Sequence, residues 1–151
     1  MKIEFVPADP TDEEIFLDLV RDYYEFEEFS FDPEKIRRSF HKLIKNENLG
    51  KIWLILFEKK QIGYIVLTYG FSFESGGPDA LIDEVFILPD HRRLGIGRKV
   101  FEFLYGFCRR TGLGKIYLEV ERKNLAAQKF YRAEGFLDHD RYLLSKKISD
   151  Q

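Results

Sequence analysis

Leu88-Pro89-Asp90-His91-Arg92-Arg93-Leu94-Gly95-Ile96-Gly97-Arg98 is the stretch on which the reading of this chain turns. Before it, residues 80–88 form an apolar run of strand length, interrupted by Asp83 and Glu84. After it, Val100, Phe101, Leu104, Phe107 and Cys108 recur at helical spacing, and Gly112 supplies a stop. The stretch is therefore a strand exit leading directly into a helix over about residues 97–110. Helix starts present four unpaired N–H groups and the positive end of the helix dipole. Gly95 and Gly97 let backbone approach a ligand closely, and Arg92, Arg93 and Arg98 surround them. Together these suit a diphosphate. A capped helix with solvated arginines is the competing reading. The spacing is neither the dinucleotide fingerprint G-x-G-x-x-G nor a Walker loop, which needs Gly-Lys-Ser/Thr.

Working outward, residues 115–121 alternate as a strand, residues 124–134 are helical with Gly135 as cap, and residues 136–148 read as one or two final strands. On the N-terminal side, residues 2–6 alternate as a strand. Thr11 and Glu14 have capping-box spacing, ahead of Ile15, Phe16, Leu19, Tyr23 and Phe26 at helical intervals. A second helix starts at Asp32 with Pro33 in its first position, followed by Ile36, Phe40, Leu43 and Ile44. Residues 52–57 and 62–71 make a hairpin around residues 58–61, and residues 75–78 form a loop. The order of elements is α/β with a mixed sheet, and the length of 151 residues suits one domain over 1–151.

With strand, Arg-x-x-Gly-x-Gly and helix in this order, the sequence resembles the GNAT superfamily of acetyl-CoA-dependent N-acetyltransferases. Arg92-Arg93-Leu94-Gly95-Ile96-Gly97 is similar to its pyrophosphate-binding motif. Leu118-Glu119-Val120 through Asn124, Ala127, Tyr131 and Gly135-Phe136 resemble the other half of the same core, so the likeness covers roughly residues 80–137. The resemblance implies a central mixed, mostly antiparallel sheet flanked by helices. It implies acetyl-CoA as acetyl donor, with backbone of Phe86, Ile87 and Leu88 pairing with the pantetheine arm. Residues Arg92, Arg93, Leu94, Gly95, Ile96, Gly97 and Arg98 would supply the pyrophosphate loop, Asn124 would meet pantetheine, and Tyr131 would face the thioester sulfur. Helical geometry agrees that positions 124, 127 and 131 share one face, on which the small Ala127 leaves room.

Acetyl transfer to an amine needs a neutral nitrogen, and a primary amine has a pKa near ~10, so a group must take its proton. Asp83 and Glu84 interrupt an apolar strand, where carboxylates are costly to bury without a use or a partner. Strand alternation sends the two to opposite faces unless a bulge changes the count. Within the family, polyamine acetyltransferases carry an acidic pair at these two positions, whereas ribosomal-protein N-terminal acetyltransferases use the glutamate matching Glu119. Glu84 and Asp83 therefore rank ahead of Glu119. Tyr131 is the expected proton donor to the departing thiolate.

Charge divides along the chain: residues 1–50 hold 7 Lys/Arg against 13 Asp/Glu, and residues 91–151 hold 14 against 7. Such a split suits a cleft that meets an anion with one half and a cation with the other. Glu25, Glu27, Glu28 and Phe73 are the candidate acceptor-binding residues, and a solvated acidic turn is the bland alternative. The expected acceptor is a small cationic amine, polyamine or aminoglycoside-like. A protein lysine or N-terminus and a non-catalytic acyl-CoA sensor are the alternatives. The basic half would also fit nucleic acid, but CoA phosphates already account for its arginines. Cys108 sits on an apolar stripe and reads as core, and His41, His91 and His139 lack metal-ligand spacing, so no metal is expected. A lone cysteine, no apolar run of ~18–20 residues and an N-terminus unlike a signal peptide lead to an expectation of a cytoplasmic protein without membrane contact. The resemblance allows a homodimer.

Overall fold

Period-two alternation near the N-terminus gives β1 (Ile3–Pro7), and the chain then enters α1 (Glu13–Glu27) through a single 3-10 turn. Pro10 occupies the first position of that turn, so helical geometry begins two residues earlier than Thr11 and Glu14 suggest. The capping box is formed instead by Asp9 and Asp12: Asp9 Oδ1 accepts from the Thr11 amide at 2.8 Å, and Asp12 Oδ2 from the Asp9 amide at 2.9 Å. In α2 (Pro33–Ile44), Asp32 caps as its sequence position implies, accepting from the Lys35 amide at 3.2 Å. Arg37 of α2 pairs with Glu13 and Glu14 of α1, and His41 reaches Glu13 at 2.6 Å, which fastens the two helices together.

Three antiparallel strands follow: β2 (Gly50–Phe57), β3 (Lys60–Ser72) and β4 (Gly77–Ile87). The turn between β2 and β3 uses Glu58 and Lys59, both at positive φ (47° and 69°), the combination that matches the twist of a two-residue hairpin. After β4 come a short 3-10 turn, α3 (Ile96–Thr111) and β5 (Ile116–Tyr117). The sheet runs β1-β2-β3-β4-β5, antiparallel except for the parallel β4–β5 pair. Tyr64, Val66, Phe86, Ile52 and Leu54 face α1 and α2, packing on Phe16, Leu19, Val20 and Phe40. The intervening residues face the other way. There Trp53 meets Phe103 and Phe107 of α3, and Ile96, Val100, Phe101, Leu104 and Cys108 are buried.

The computed structural model describes residues 2–149, and these separate into two compact units, one ending at Leu118 and one beginning at Glu119. All the elements above belong to the first unit. The second holds α4 (Leu125–Ala133). Two expectations need correction. The strand expected over residues 115–121 is only Ile116–Tyr117, paired with Ala80 and Leu81. Residues 136–148 form no strand. Asp138 to Arg141 are four polar residues in a row, which breaks the alternation, and Arg132 grips Asp138 with two hydrogen bonds of 2.9 and 2.7 Å, drawing it back onto α4. Among the described residues, no helix is long and apolar enough to cross a membrane.

Candidate active site

The two carboxylates in β4 sit at a break in its register. Val66 of β3 pairs with Glu84, but the next residue, Leu67, pairs with Ile82, so Asp83 has no partner opposite. This is a β-bulge, and it changes which face each neighbour serves. Ile82 lies opposite Leu67 on the α3 side, whereas Glu84 shares the α1–α2 side with Phe86. The parallel pairing of β4 with β5 ends at Leu81, because β5 is only two residues long. Beyond that point one edge of β4 has no strand beside it among the described residues.

Glu84 is half-buried and held by two phenols. Tyr24, from the last turns of α1, donates to Oε2 at 2.6 Å, and Tyr64, from β3, donates to Oε1 at 2.7 Å. Burial pushes the Glu84 carboxyl above the ordinary carboxylate range, while the two phenol hydrogen bonds pull it back down. Burial first, and the facing carboxylate second, hold both phenols firmly protonated. Asp83 reaches solvent, yet the protein around it still raises its carboxyl by desolvation. A carboxylate above its usual range beside bound donors can take a proton from an incoming ammonium more readily than an ordinary surface glutamate.

The open edge of β4 leads to the glycine loop. The Leu88 amide already bonds the Ile62 carbonyl at 2.8 Å, and the Phe86 carbonyl points at Gly63 of β3. By alternation, Val85 and Ile87 present their backbone to the open side. Of the Phe86–Leu88 triplet, therefore, only Ile87 can pair with an arm laid along that edge. Its carbonyl accepts from Arg92 Nε at 2.9 Å, and the Arg92 guanidinium lies over the rings of Phe26 (4.5 Å) and Phe86 (5.5 Å). Arg92 thus turns back onto α1 and β4, leaving Arg93 and Arg98 as the exposed cations of the loop. Arg93 has φ 65° and Gly95 φ 77°, a left-handed alternation that turns successive amides to one side. Gly95 is the N-cap of α3 and has no side chain to satisfy the first-turn amides of Ile96, Gly97 and Arg98. These features fit the diphosphate of CoA. Leu94 is exposed at the loop's tip.

In the second unit, Asn124 caps α4, its Oδ1 accepting from the Ala127 amide at 3.1 Å. Ala127 and Tyr131 follow on the helix, both half-buried. Burial raises the Tyr131 phenol, whose ring meets Phe130 and Phe136. Glu119 is exposed and lies outside any strand.

On the acceptor side the named residues divide. Glu27 and Glu28 lie one turn beyond Tyr24 on the same stripe of α1, with Glu28 as the left-handed C-cap at φ 60°. Glu25 is a quarter-turn away. Phe73 is remote: Ser72 pairs with Gly77 at the far end of the hairpin, seven residues and roughly 23 Å along β4 from Glu84. Tyr24 and Tyr64 escaped the sequence reading. The available signal was the i, i+4, i+8 series Phe16, Val20 and Tyr24, which points a phenol along the buried stripe of α1.

The acetyltransferase (GNAT) family matches the chain over residues 13–136. The chain belongs to that family. A mycothiol acetyltransferase of Geodermatophilus obscurus is 39% identical over 66 residues, which is 42% of this chain and 21% of that protein. Streptothricin acetyltransferase of Streptomyces lavendulae is 34% identical over 65 residues, 43% of this chain and 34% of that protein. The matched segment thus spans between a fifth and about a third of these curated relatives. The fold of an integron cassette protein from the mobile metagenome of Cole Harbour Salt Marsh superposes with a TM-score of 0.85 at 28% identity, covering 97% of this chain and 91% of the other. The mixed, mostly antiparallel sheet flanked by helices is the GNAT architecture.

Proposed function

We propose that this GNAT protein transfers the acetyl group of acetyl-CoA directly to a primary amine, and that the acceptor is a small cationic amine of polyamine or aminoglycoside type. The observation that carries the reading is Glu84, a half-buried carboxylate clamped by Tyr24 and Tyr64 at the acidic end of α1. Bound acetyl-CoA supplies an activated thioester. The exposed loop cations Arg93 and Arg98 and the amides of Ile96, Gly97 and Arg98 would hold its diphosphate, and the Ile87 backbone would pair with the pantetheine arm once Arg92 releases it.

The chain's own groups then balance the protons. The amine forms a C–N bond as the C–S bond breaks; its proton passes to Glu84, and the departing thiolate takes one from the Tyr131 phenol. Glu27 and Glu28, with Glu25 beside them, would draw the cationic acceptor toward Glu84. The related streptothricin acetyltransferase, whose name states streptothricin as what it acetylates, supports a small-molecule substrate.

The test is CoA release from acetyl-CoA with spermidine, kanamycin, a lysine peptide and a peptide with a free N-terminus, for the parent and for Glu84→Gln. Turnover of spermidine or kanamycin with a fall in kcat of about 10²-fold in Glu84→Gln supports the reading. Turnover of a peptide alone would move the acceptor to protein. Acetyl-CoA binding without release under any amine would leave a sensor.

A further inference from the structure

Glu84 has two tyrosine partners, and they differ in what else they do. Tyr64 is fully buried, and its ring packs against Phe16 and Phe86 in the main core. Tyr24 stands at the periphery of that core. Its ring meets Tyr23, Phe29 and Phe31, and a phenylalanine would make those contacts equally well. What a phenylalanine lacks is the hydroxyl, and that hydroxyl is committed to Glu84 Oε2 at 2.6 Å. Tyr24 is also the residue whose carbonyl accepts from the Phe29 amide at 2.8 Å, closing the left-handed cap at Glu28. One residue therefore joins the acidic, aromatic turn after α1 to the carboxylate in the β4 bulge, 60 positions away in sequence.

We infer that Tyr24 is a positioning residue for the proton acceptor: its hydroxyl fixes the orientation of the Glu84 carboxylate, while its backbone sets the turn that receives the amine. The inference rests on the proposed role of Glu84 in acetyl transfer. With Tyr24 on Oε2 and Tyr64 on Oε1, the plane of the carboxylate is set from both sides, and each oxygen retains a lone pair for an incoming N–H. A carboxylate held by one phenol alone could rotate away from the amine.

The charge balance has a definite sign. The titratable groups acting on Glu84 are Tyr24 from α1, Tyr64 from β3 and its neighbour Asp83 on β4; Tyr23 of α1 packs on the rings of both phenols, and the Arg92 cation lies on the nearby Phe86 ring. Burial and Asp83 both favour the protonated acid, and the two phenols favour the carboxylate. Removing one phenol tips the balance further toward the acid. A base must be ionised to work, so its activity falls as pH drops through its pKa in the folded protein, and loss of Tyr24 moves that fall to higher pH.

The experiment is a 13C NMR titration of the Glu84 side-chain carboxyl in the unliganded protein, for the parent, Tyr24→Phe and Tyr64→Phe, with Glu84→Gln identifying the resonance. The Glu84 midpoint should rise by about 1 pH unit in Tyr24→Phe, the equivalent of one hydrogen bond to a charged group. The acid limb of kcat/KM, followed with spermidine or kanamycin, should rise with it, and Tyr64→Phe should move the midpoint in the same direction. A Tyr24→Phe midpoint within about 0.3 unit of the parent overturns the inference, since a purely packing role leaves the midpoint unmoved. A midpoint that rises while Glu84→Gln turns over as fast as the parent overturns the proton-acceptor reading of Glu84 and leaves only the Tyr24–Glu84 coupling standing.

Discussion

The two sides of this site are made of different material. The loop proposed to hold the diphosphate is a backbone device: left-handed residues at 93 and 95, and a helix start with no side-chain cap, all within six consecutive positions. The acceptor side is a side-chain device. Tyr24, Tyr64 and Glu84 come from three elements and meet only after the sheet and α1 have packed. A backbone device tolerates changes of side chain but not of conformation or local charge. A side-chain device tolerates neither loss of a hydroxyl nor a shift of register.

Three measurements can break or sharpen that contrast. The largest effect is expected from Tyr131, proposed above as the proton donor to the departing thiolate. Tyr131→Phe keeps the ring against Phe130 and Phe136 and deletes the hydroxyl. It should lower kcat by about 10- to 10³-fold with little change in acetyl-CoA affinity. A kcat within about twofold of the parent, with chemistry rate-limiting, would leave transfer dependent on positioning.

A smaller effect is expected in the loop. Gly97→Asp puts a carboxylate at the first turn of α3, where it competes for the same amides and repels phosphate. Calorimetry should show acetyl-CoA binding weakened about 30-fold, the equivalent of ~2 kcal/mol, with the fold retained. At Gly95 a new Cβ meets nothing within 4 Å, so Gly95→Ala acts only through its φ of 77°, and its milder loss should come with lower thermal stability. Equal affinity in both variants would remove the phosphate assignment.

The smallest effect belongs to the acidic turn. Changing Glu25, Glu27 and Glu28 to Lys should raise the acceptor KM about 3- to 10-fold at low salt, as expected for exposed charges. The acetyl-CoA KM should hardly move, and the difference should shrink as salt screens over ~8–10 Å. Kinetics identical to the parent would make the turn an ordinary solvated one.

The same contrast explains what could be read from sequence. The loop was legible because its glycines, arginines and flanking periodicities are contiguous, so local rules are enough. The hairpin and α2 were legible for the same reason, since Asp32-Pro33 and alternating apolar runs carry their own signals. The acidic pair was visible, and its bulge could be named as a condition. Its occurrence depends on how β3 and β4 align over ten residue pairs, which no local pattern states. Tyr24 was hidden because a tyrosine on an apolar stripe looks the same whether or not its hydroxyl has a partner across the sheet. The strands expected over residues 136–148 do not form, because the polar run from Asp138 to Arg141 interrupts the alternation a sheet requires.

The hydrogen bond from Arg92 to the Ile87 carbonyl has a meaning apart from acetyl transfer. An unpaired strand edge is a template on which a foreign polypeptide can add itself, the first step of aggregation. At Ile87 that vacancy is filled from within, and Pro89 two residues later offers no amide to extend a ladder. The guanidinium also rests on two aromatic faces, which shields apolar surface at the same spot. One arginine thus satisfies the Ile87 carbonyl at the end of this strand edge and covers the aromatic surface beside it.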